Sequence, residues 1–348
     1  MNPYLFLPVD PHLAGLRDNA IYPHINRKEY AHTIYPPVAQ MFFYGVTRVT
    51  QSVPGFKSIL VLVDLVTVGL IAAALRAVDQ PAERVIVYAW HPLPIFEFGA
   101  SGHIDALIIC FVALALLARA TEKFGLAGFA LGAATLTKFY PVILLPAIYR
   151  RWDRKLPIAF AATVVLCYLP YVIGVGAGVL GFLPQYAKEE GLQNGARYYL
   201  LQLTDYILDF CGVVHDLPPT VFNWMVLALL AAIAVWAFYR QAPVGRQTKA
   251  AEGNWIFSGF VLSLVFSMLL SSYYPWYYSW LALFLCFVPN SAALMLTLIA
   301  WPLYRSLFEQ SADDLFRFRS RVLLPVFALF LASWIIARGR STVPKTSK

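Results

Sequence analysis

Six apolar runs, at 56–75, 104–118, 156–173, 221–239, 256–270 and 322–337, set the limits on what this chain can become. A helix that crosses a bilayer needs about 20 mostly apolar residues. In hydrocarbon every backbone N–H and C=O must be satisfied within the protein, which leaves helices or closed barrels. These runs lack the alternation of a barrel strand, so the chain is expected to be all-α and polytopic. Further runs at 84–98, 125–136, 140–149, 277–288 and 292–304 are shorter or broken, several of them by Pro92, Pro94, Pro141 and Pro146. Proline interrupts the helical ladder, and interrupted helices at membrane depth are buried in protein or line a cavity. Nine or ten passes are expected. A soluble domain is excluded, because only 13% of the 348 residues are charged against about 25% in soluble proteins.

The formal charge of +8 does not point to nucleic acid, since the basic residues cluster in short loops, as the positive-inside rule expects. The clusters RRWDRK (150–155), RQAPVGRQTK (240–249) and RGRSTVPKTSK (338–348) are assigned to the cytoplasm. Counting passes puts the loop 176–220, the segment YYPWYY (273–278) and the linker 305–321 on the opposite side. The linker carries Arg305, Arg317, Arg319 and Arg321, against the rule. Counting backwards puts the turns 137–141 and 99–105 and the opening segment 2–40 on that outer side too. This parity holds if 36–49, with about 14 residues and Arg48, lies at the interface rather than crossing. Three regions follow: an extracytoplasmic loop and interfacial helix (1–52), a transmembrane helical domain (53–338) and a disordered cytoplasmic tail (339–348). The first twenty residues lack the apolar core of a cleavable signal. Cys110, Cys167, Cys211 and Cys286 stand singly, which argues against a disulfide framework or a CxxC metal site.

Four polar constellations then share the outer face. In GASGHID (99–105), His103 and Asp105 put a titratable pair at a helix start. A carboxylate there suits the helix dipole as a mere cap, or it is a site residue, because an intramembrane carboxylate is costly. In TLTKFYP (135–141), Lys138 either meets a lipid phosphate or snorkels without a partner. The loop 186–209 holds Glu189, Glu190, Asn194, Arg197, Tyr198 and Tyr199, a mixture that suits sugar hydroxyls or phosphate or is merely a solvated loop. SSYYPWYY (271–278) is either an interfacial aromatic belt or a platform for sugar faces or a lipid chain. Phosphate loops, HExxH, GxSxG and paired CxxC motifs do not occur, so nucleotide-driven transport, zinc hydrolysis and serine hydrolysis lack support.

TIYPPVAQ (33–40), EFGASGHIDAL (97–107), LTKFYP (136–141), EEGLQNGARYYLL (189–201) and YYPWYYSWL (273–281), in this order, resemble the family 87 glycosyltransferases of the GT-C superfamily. The best-known members of that superfamily include polyprenol-phosphate-mannose-dependent α-mannosyltransferases. The resemblance implies sugar transfer at the outer face from a lipid-linked sugar phosphate, with inversion. It also implies a first spanning helix and an early acidic base, both expected ahead of Met1, so that this chain is expected either to start at an internal methionine of a longer protein, the favoured alternative, or to be a degenerate relative. Where related sequences read HYPWY, this one has Tyr273 in place of the histidine.

The expected function is therefore transfer of a hexose, mannose foremost, from a polyprenyl-phosphate donor to a lipid or polysaccharide acceptor. The protein would sit in the plasma (inner) membrane among membrane lipids, with its active face extracytoplasmic. Asp18 and Asp105 are the acidic candidates for deprotonating the acceptor. Arg17, Asn26, Arg27, Tyr35, His103, Lys138 and Arg197 are expected around the donor phosphate and sugar, and Tyr273, Tyr274 and Trp276 as an acceptor or lipid platform. No cofactor is called for, with a divalent metal left open. The competing expectations are a transporter or flippase, in which broken helices line a path, and an inactive membrane subunit.

Overall fold

The computed structural model describes residues 1–195, 198–213, 215–241, 254–272, 274–307 and 311–341, and every regular element among them is helical. Arg197, Tyr273, residues 242–253, which include most of the second basic segment, and the tail 342–348 lie outside the described residues. The first half is built from helices α1 (Pro37–Val49), α2 (Val53–Ala77), α3 (Asp105–Ala120), α4 (Phe124–Thr135) and α5 (Lys155–Val175). The second contains α6 (Tyr199–Phe210), α7 (Pro219–Tyr239), α8 (Asn254–Leu270), α9 (Ser279–Leu285), α10 (Ser291–Leu298) and α11 (Ala312–Ser341). Short 3-10 and π pieces, notably Ile95–Ser101, Tyr140–Leu144 and Pro275–Tyr278, fill the proline-broken runs.

Three helical stretches, Val53–Ala77, Lys155–Glu189 and Pro219–Tyr239, are long and apolar enough to cross a membrane. On them the apolar side chains face outward: Leu62, Leu65, Leu166, Ile173 and Met225 are all more than half exposed. In water such a surface would aggregate; against lipid it is the expected solvent face. The run 104–118 behaves differently. It forms α3, about 24 Å long at 1.5 Å per residue, and Ile108, Ile109 and Val112 are buried among α2 and α4. Helix α4 approaches α5 so closely that a Cβ on Gly128 would lie 2.2 Å from the Leu156 carbonyl oxygen, and one on Gly132 3.0 Å from Thr163 Cβ. Two glycines four apart therefore set this crossing, the small-residue device of membrane helix pairs.

The bundle has two chemically distinct ends. At one, Arg119 Nε donates to the Ile148 carbonyl (2.9 Å), Arg150 pairs with Glu122, and Arg151 Nε donates to the Gln241 carbonyl (3.0 Å). The first basic cluster and the start of the second thus meet. At the other end lie the opening segment, 99–105, 137–141, 183–195 and 274–278, brought together from distant parts of the chain. Helix α1 begins and ends there: Val38 N donates to the Leu136 carbonyl, and its C-terminal turn is followed by Lys57, whose Nζ reaches the Ala100 carbonyl. It does not traverse the bundle. The arginines of 305–321 that oppose the positive-inside rule include Arg319, which is fully buried, donates from Nη2 to the Ser271 carbonyl (2.6 Å) and lies over the Tyr199 ring. That side chain satisfies the backbone just beyond α8, so its place is set by packing.

Candidate functional site

The opening segment is folded onto this end by specific contacts. Asn2 Nδ2 donates to the Tyr171 carbonyl (3.2 Å), Tyr4 OH to the Tyr35 carbonyl (2.7 Å), and Arg27 Nε to Glu189 Oε2 (2.9 Å). Arg27 has a left-handed backbone, φ 57°, which a non-glycine residue adopts at a cost of about 1–2 kcal/mol. Together these contacts leave two cavities. An inner one of about 360 Å³ is bounded by Tyr35, His103, Lys138, Glu190, Trp276 and Tyr277. An outer one of about 800 Å³ is bounded by Arg17, Asp18, Asn26, Arg27 and Tyr22. Ile34, Tyr35 and Tyr186 form a wall common to both. Both volumes fall in the range of small-molecule sites, about 300–1,000 Å³.

Lys138 occupies the non-helical turn 136–139 between the end of α4 at Thr135 and the 3-10 helix that starts at Tyr140, just ahead of Pro141. Its Nζ lies 2.5 Å from Asp105 Oδ2, and Tyr140 OH donates to Asp105 Oδ1 at 3.2 Å. The carboxylate is entirely buried, whereas the lysine side chain is 16% exposed, toward the inner cavity. Burial works against the ammonium charge, and the adjacent Asp105 carboxylate outweighs it, so Lys138 is held above the ordinary lysine range. With both oxygens engaged and no exposed surface, Asp105 is arranged to hold a cation rather than to accept a proton from a substrate. Burial raises the Tyr35 hydroxyl, with Lys138 pulling the other way.

The third wall is aromatic. The His103 ring stacks on Trp276 (4.0 Å between centroids, 23°), and Trp276 stacks in turn on Tyr274 (4.6 Å, 19°). Tyr274 OH donates to Glu190 Oε1 at 3.3 Å. The residues expected around a single sugar site are thus divided. Tyr35, His103, Lys138 and Trp276 line the inner cavity, with Tyr274 in the stack behind Trp276, while Arg17, Asp18, Asn26 and Arg27 line the outer one. Arg17 is occupied by backbone carbonyls of Pro8 and Asp10. Asp18 accepts from the N–H groups of Ile21 and Ala20, which hold its carboxyl below the usual range.

Sequence reasoning passed over Glu97 and Tyr304. Glu97 is wholly buried, accepts from Tyr304 OH at 3.0 and 2.8 Å, and has Oε2 2.8 Å from His103 Nδ1. A glutamate inside the apolar run 84–98 was the available signal. Among the described residues, no three His, Cys, Asp or Glu side chains are gathered to hold a metal ion.

No curated protein and no solved structure matches the chain. The model of glycosyltransferase family 87 matches residues 33–272. That stretch starts where the opening segment meets Tyr35 and includes His103, Lys138 and Glu190 of the inner cavity, whereas Tyr274, Trp276 and Tyr277 follow it. The match identifies a membrane glycosyltransferase, and the transporter expectation gives way to it. Because it spans well over half of the 348 residues, the chain belongs to glycosyltransferase family 87.

Proposed function

We propose that this glycosyltransferase, on a fold of GT-C type, moves a hexose, mannose foremost, from a polyprenyl-phosphate donor to a hydroxyl of a lipid or glycan acceptor at the extracytoplasmic face of the plasma membrane. The observation that carries the reading is Lys138, an ammonium held by a buried carboxylate and presented to a largely apolar cavity among membrane helices. That combination suits a phosphate attached to a lipid. As the bond from the anomeric carbon to the phosphate oxygen lengthens, negative charge grows on the departing phosphate, and a preorganised cation is worth more there than in water. Asp105 acts through Lys138 by fixing its position. Trp276 offers a ring face to the sugar. The outer cavity, with Arg17, Asp18, Asn26 and Arg27 on its wall, suits the acceptor, with Tyr35 between the two compartments. Arg197 and Tyr273 complete the proposal as a second phosphate cation and a platform ring. Attack from the acceptor side opposite the phosphate gives inversion.

The test is transfer of radiolabel from polyprenyl-phosphate mannose in membranes carrying the protein. Incorporation by the wild type, with a loss of at least about 100-fold in Lys138→Met, the scale of a removed transition-state charge partner, supports the reading. Incorporation from a nucleotide sugar but not from the lipid donor overturns it. No incorporation from either would favour an inactive subunit.

A further inference from the structure

The end of the bundle away from the two cavities holds two buried guanidiniums that sugar transfer does not use. Arg119, in the last turn of α3, is 9% exposed, and Arg150, five residues ahead of α5, is 7% exposed. The exposed Lys123, Arg154 and Lys155 need no explanation beyond the positive-inside rule. The buried pair does, because a charge taken out of water is costly unless partners replace that water. Both guanidiniums lie over the Phe124 ring, 5.4 and 5.6 Å from its centroid, so two like charges are held at one ring. Arg119 also lies over Trp255, at the start of α8, at 5.2 Å. Its Nε donates to the Ile148 carbonyl, and Arg150 Nη1 pairs with Glu122, whose side chain is 53% exposed. Among the described residues nothing accepts from Nη1 or Nη2 of Arg119, or from Nε or Nη2 of Arg150, and none of these nitrogens is sealed off. The other carboxylate nearby, Asp153, is engaged by the N–H groups of Lys155 and Leu156 at the start of α5.

We infer that Arg119 and Arg150 form a phosphate-binding site that takes the headgroup of an anionic phospholipid from the leaflet at this end of the bundle. The planar fork of a guanidinium matches two oxygens of a phosphate, and here two forks over one ring offer donors to one anion. The bound phosphate ties the turn after α3 to the turn ahead of α5. Both turns carry a non-glycine residue in the left-handed region, Glu122 at φ 57° and Trp152 at φ 71°, a conformation that side chains adopt only at a cost. Six cations, Arg119, Lys123, Arg150, Arg151, Arg154 and Lys155, stand against two carboxylates, Glu122 and Asp153, which favours an anionic headgroup over a zwitterionic one. The apolar surroundings favour a lipid over a soluble phosphate. Leu126 and Phe129, early in α4, and Ile158, early in α5, are exposed apolar side chains against which acyl chains can lie. Exposed Trp152 is a residue type that sits at headgroup level. In the proposed orientation this end is cytoplasmic, where the leaflet is the anionic one and basic pockets between membrane helices bind headgroups. Glu122 holds one arm of Arg150 and therefore competes with the phosphate.

The test uses the full chain in a non-ionic detergent, with native mass spectrometry to count bound lipid and give its Kd. No sugar is added, so the outcome is independent of the donor reading. Phosphatidylglycerol is expected to bind saturably, at least about tenfold more tightly than phosphatidylcholine, as two arginines at a headgroup imply. Arg119→Gln and Arg150→Gln should each weaken phosphatidylglycerol about tenfold, the equivalent of one lost hydrogen bond to a charged group. The exposed Arg154→Gln, with the same change in net charge, should shift it less than about twofold. Glu122→Gln keeps both arginines and releases Arg150 from its competitor, so binding should tighten about threefold, the scale of a half-exposed ion pair. This last variant decides the matter if the arginine variants do not fold. Equal binding of the two lipids, a loss in Arg154→Gln as large as in Arg150→Gln, or unchanged or weaker binding in Glu122→Gln overturns the site. Saturable binding of inorganic phosphate with no lipid retained overturns the lipid assignment.

Discussion

Asp105 supports two accounts that differ in energy by enough to measure. As a helix cap in the first turn of α3 it contributes about 0.3–1 kcal/mol through the dipole, independently of Lys138. As one half of a buried ion pair it is coupled to Lys138, and removing one partner costs about 3–5 kcal/mol because the other charge is left buried. Asp105→Asn retains an oxygen for Tyr140 OH and removes only the charge. Since 16% of the Lys138 side chain is exposed to the cavity, the stranded ammonium reaches some water, and a loss near the lower end, about 3 kcal/mol, is expected. Lys138→Met strands a carboxylate with no exposed surface, so its cost should be the larger, about 4–5 kcal/mol. In the double variant neither charge remains, and the loss should shrink to about 1 kcal/mol, on the scale of one altered hydrogen bond. The assay is equilibrium unfolding in mixed micelles of increasing SDS content, followed by tryptophan fluorescence, with the four proteins forming a double-mutant cycle. A coupling energy above about 3 kcal/mol is expected. A value below about 1 kcal/mol, which an exposed pair gives, would refute the claim that Asp105 exists here to hold Lys138.

Gly128→Ala should destabilise the same unfolding transition by about 1–3 kcal/mol, as overpacking does, and by more than Gly132→Ala, because its Cβ meets a backbone oxygen at 2.2 Å whereas that of residue 132 meets a side chain at 3.0 Å. Trp276→Ala should raise KM for the sugar donor about threefold to tenfold, the equivalent of one lost ring contact of about 0.5–1.5 kcal/mol, and an unchanged KM would remove it from the sugar site. A cysteine at exposed Ser101, introduced with the exposed Cys211 replaced by serine, should react with an impermeant thiol reagent added outside intact cells. Reaction only after lysis would reverse the orientation.

Much of the site could be read from the chain because its parts are local. Lys138 ahead of Pro141, His103 behind small residues, and the aromatic cluster around Pro275 each mark a place where a membrane helix stops, and the positive-inside count put those stops on one side. Their convergence on one cavity is what folding added. Pairings across long separations could not be read. Asp105 and Lys138 are 33 positions apart, and Glu97 and Tyr304 207 apart, with nothing in either segment to name the other. The two-cavity division was hidden for the same reason, since it depends on Arg27 meeting Glu189 and on Tyr35 standing as a wall.

The Glu97–His103 pair was concealed by a subtler feature. Residues six apart in an α-helix are rotated by about 240° from each other, so a glutamate and a histidine at that spacing are expected to point apart. Here Ile95–Ser101 is a π-helix, and Gly102 adopts φ 84°, a left-handed conformation that a side chain would strain. The widened turn and the reversal bring His103 N onto the Glu97 carbonyl at 2.9 Å, and the two side chains follow to 2.8 Å. π-turns are rare and cluster at functional sites, because a wider turn has poorer packing that something else must offset. A Cβ at residue 102 would come within 3.3 Å of the Lys57 side chain, so Gly102 is required by both backbone and neighbour. The small residues of GASGHID are therefore the means by which a buried carboxylate is turned toward the imidazole at the cavity wall.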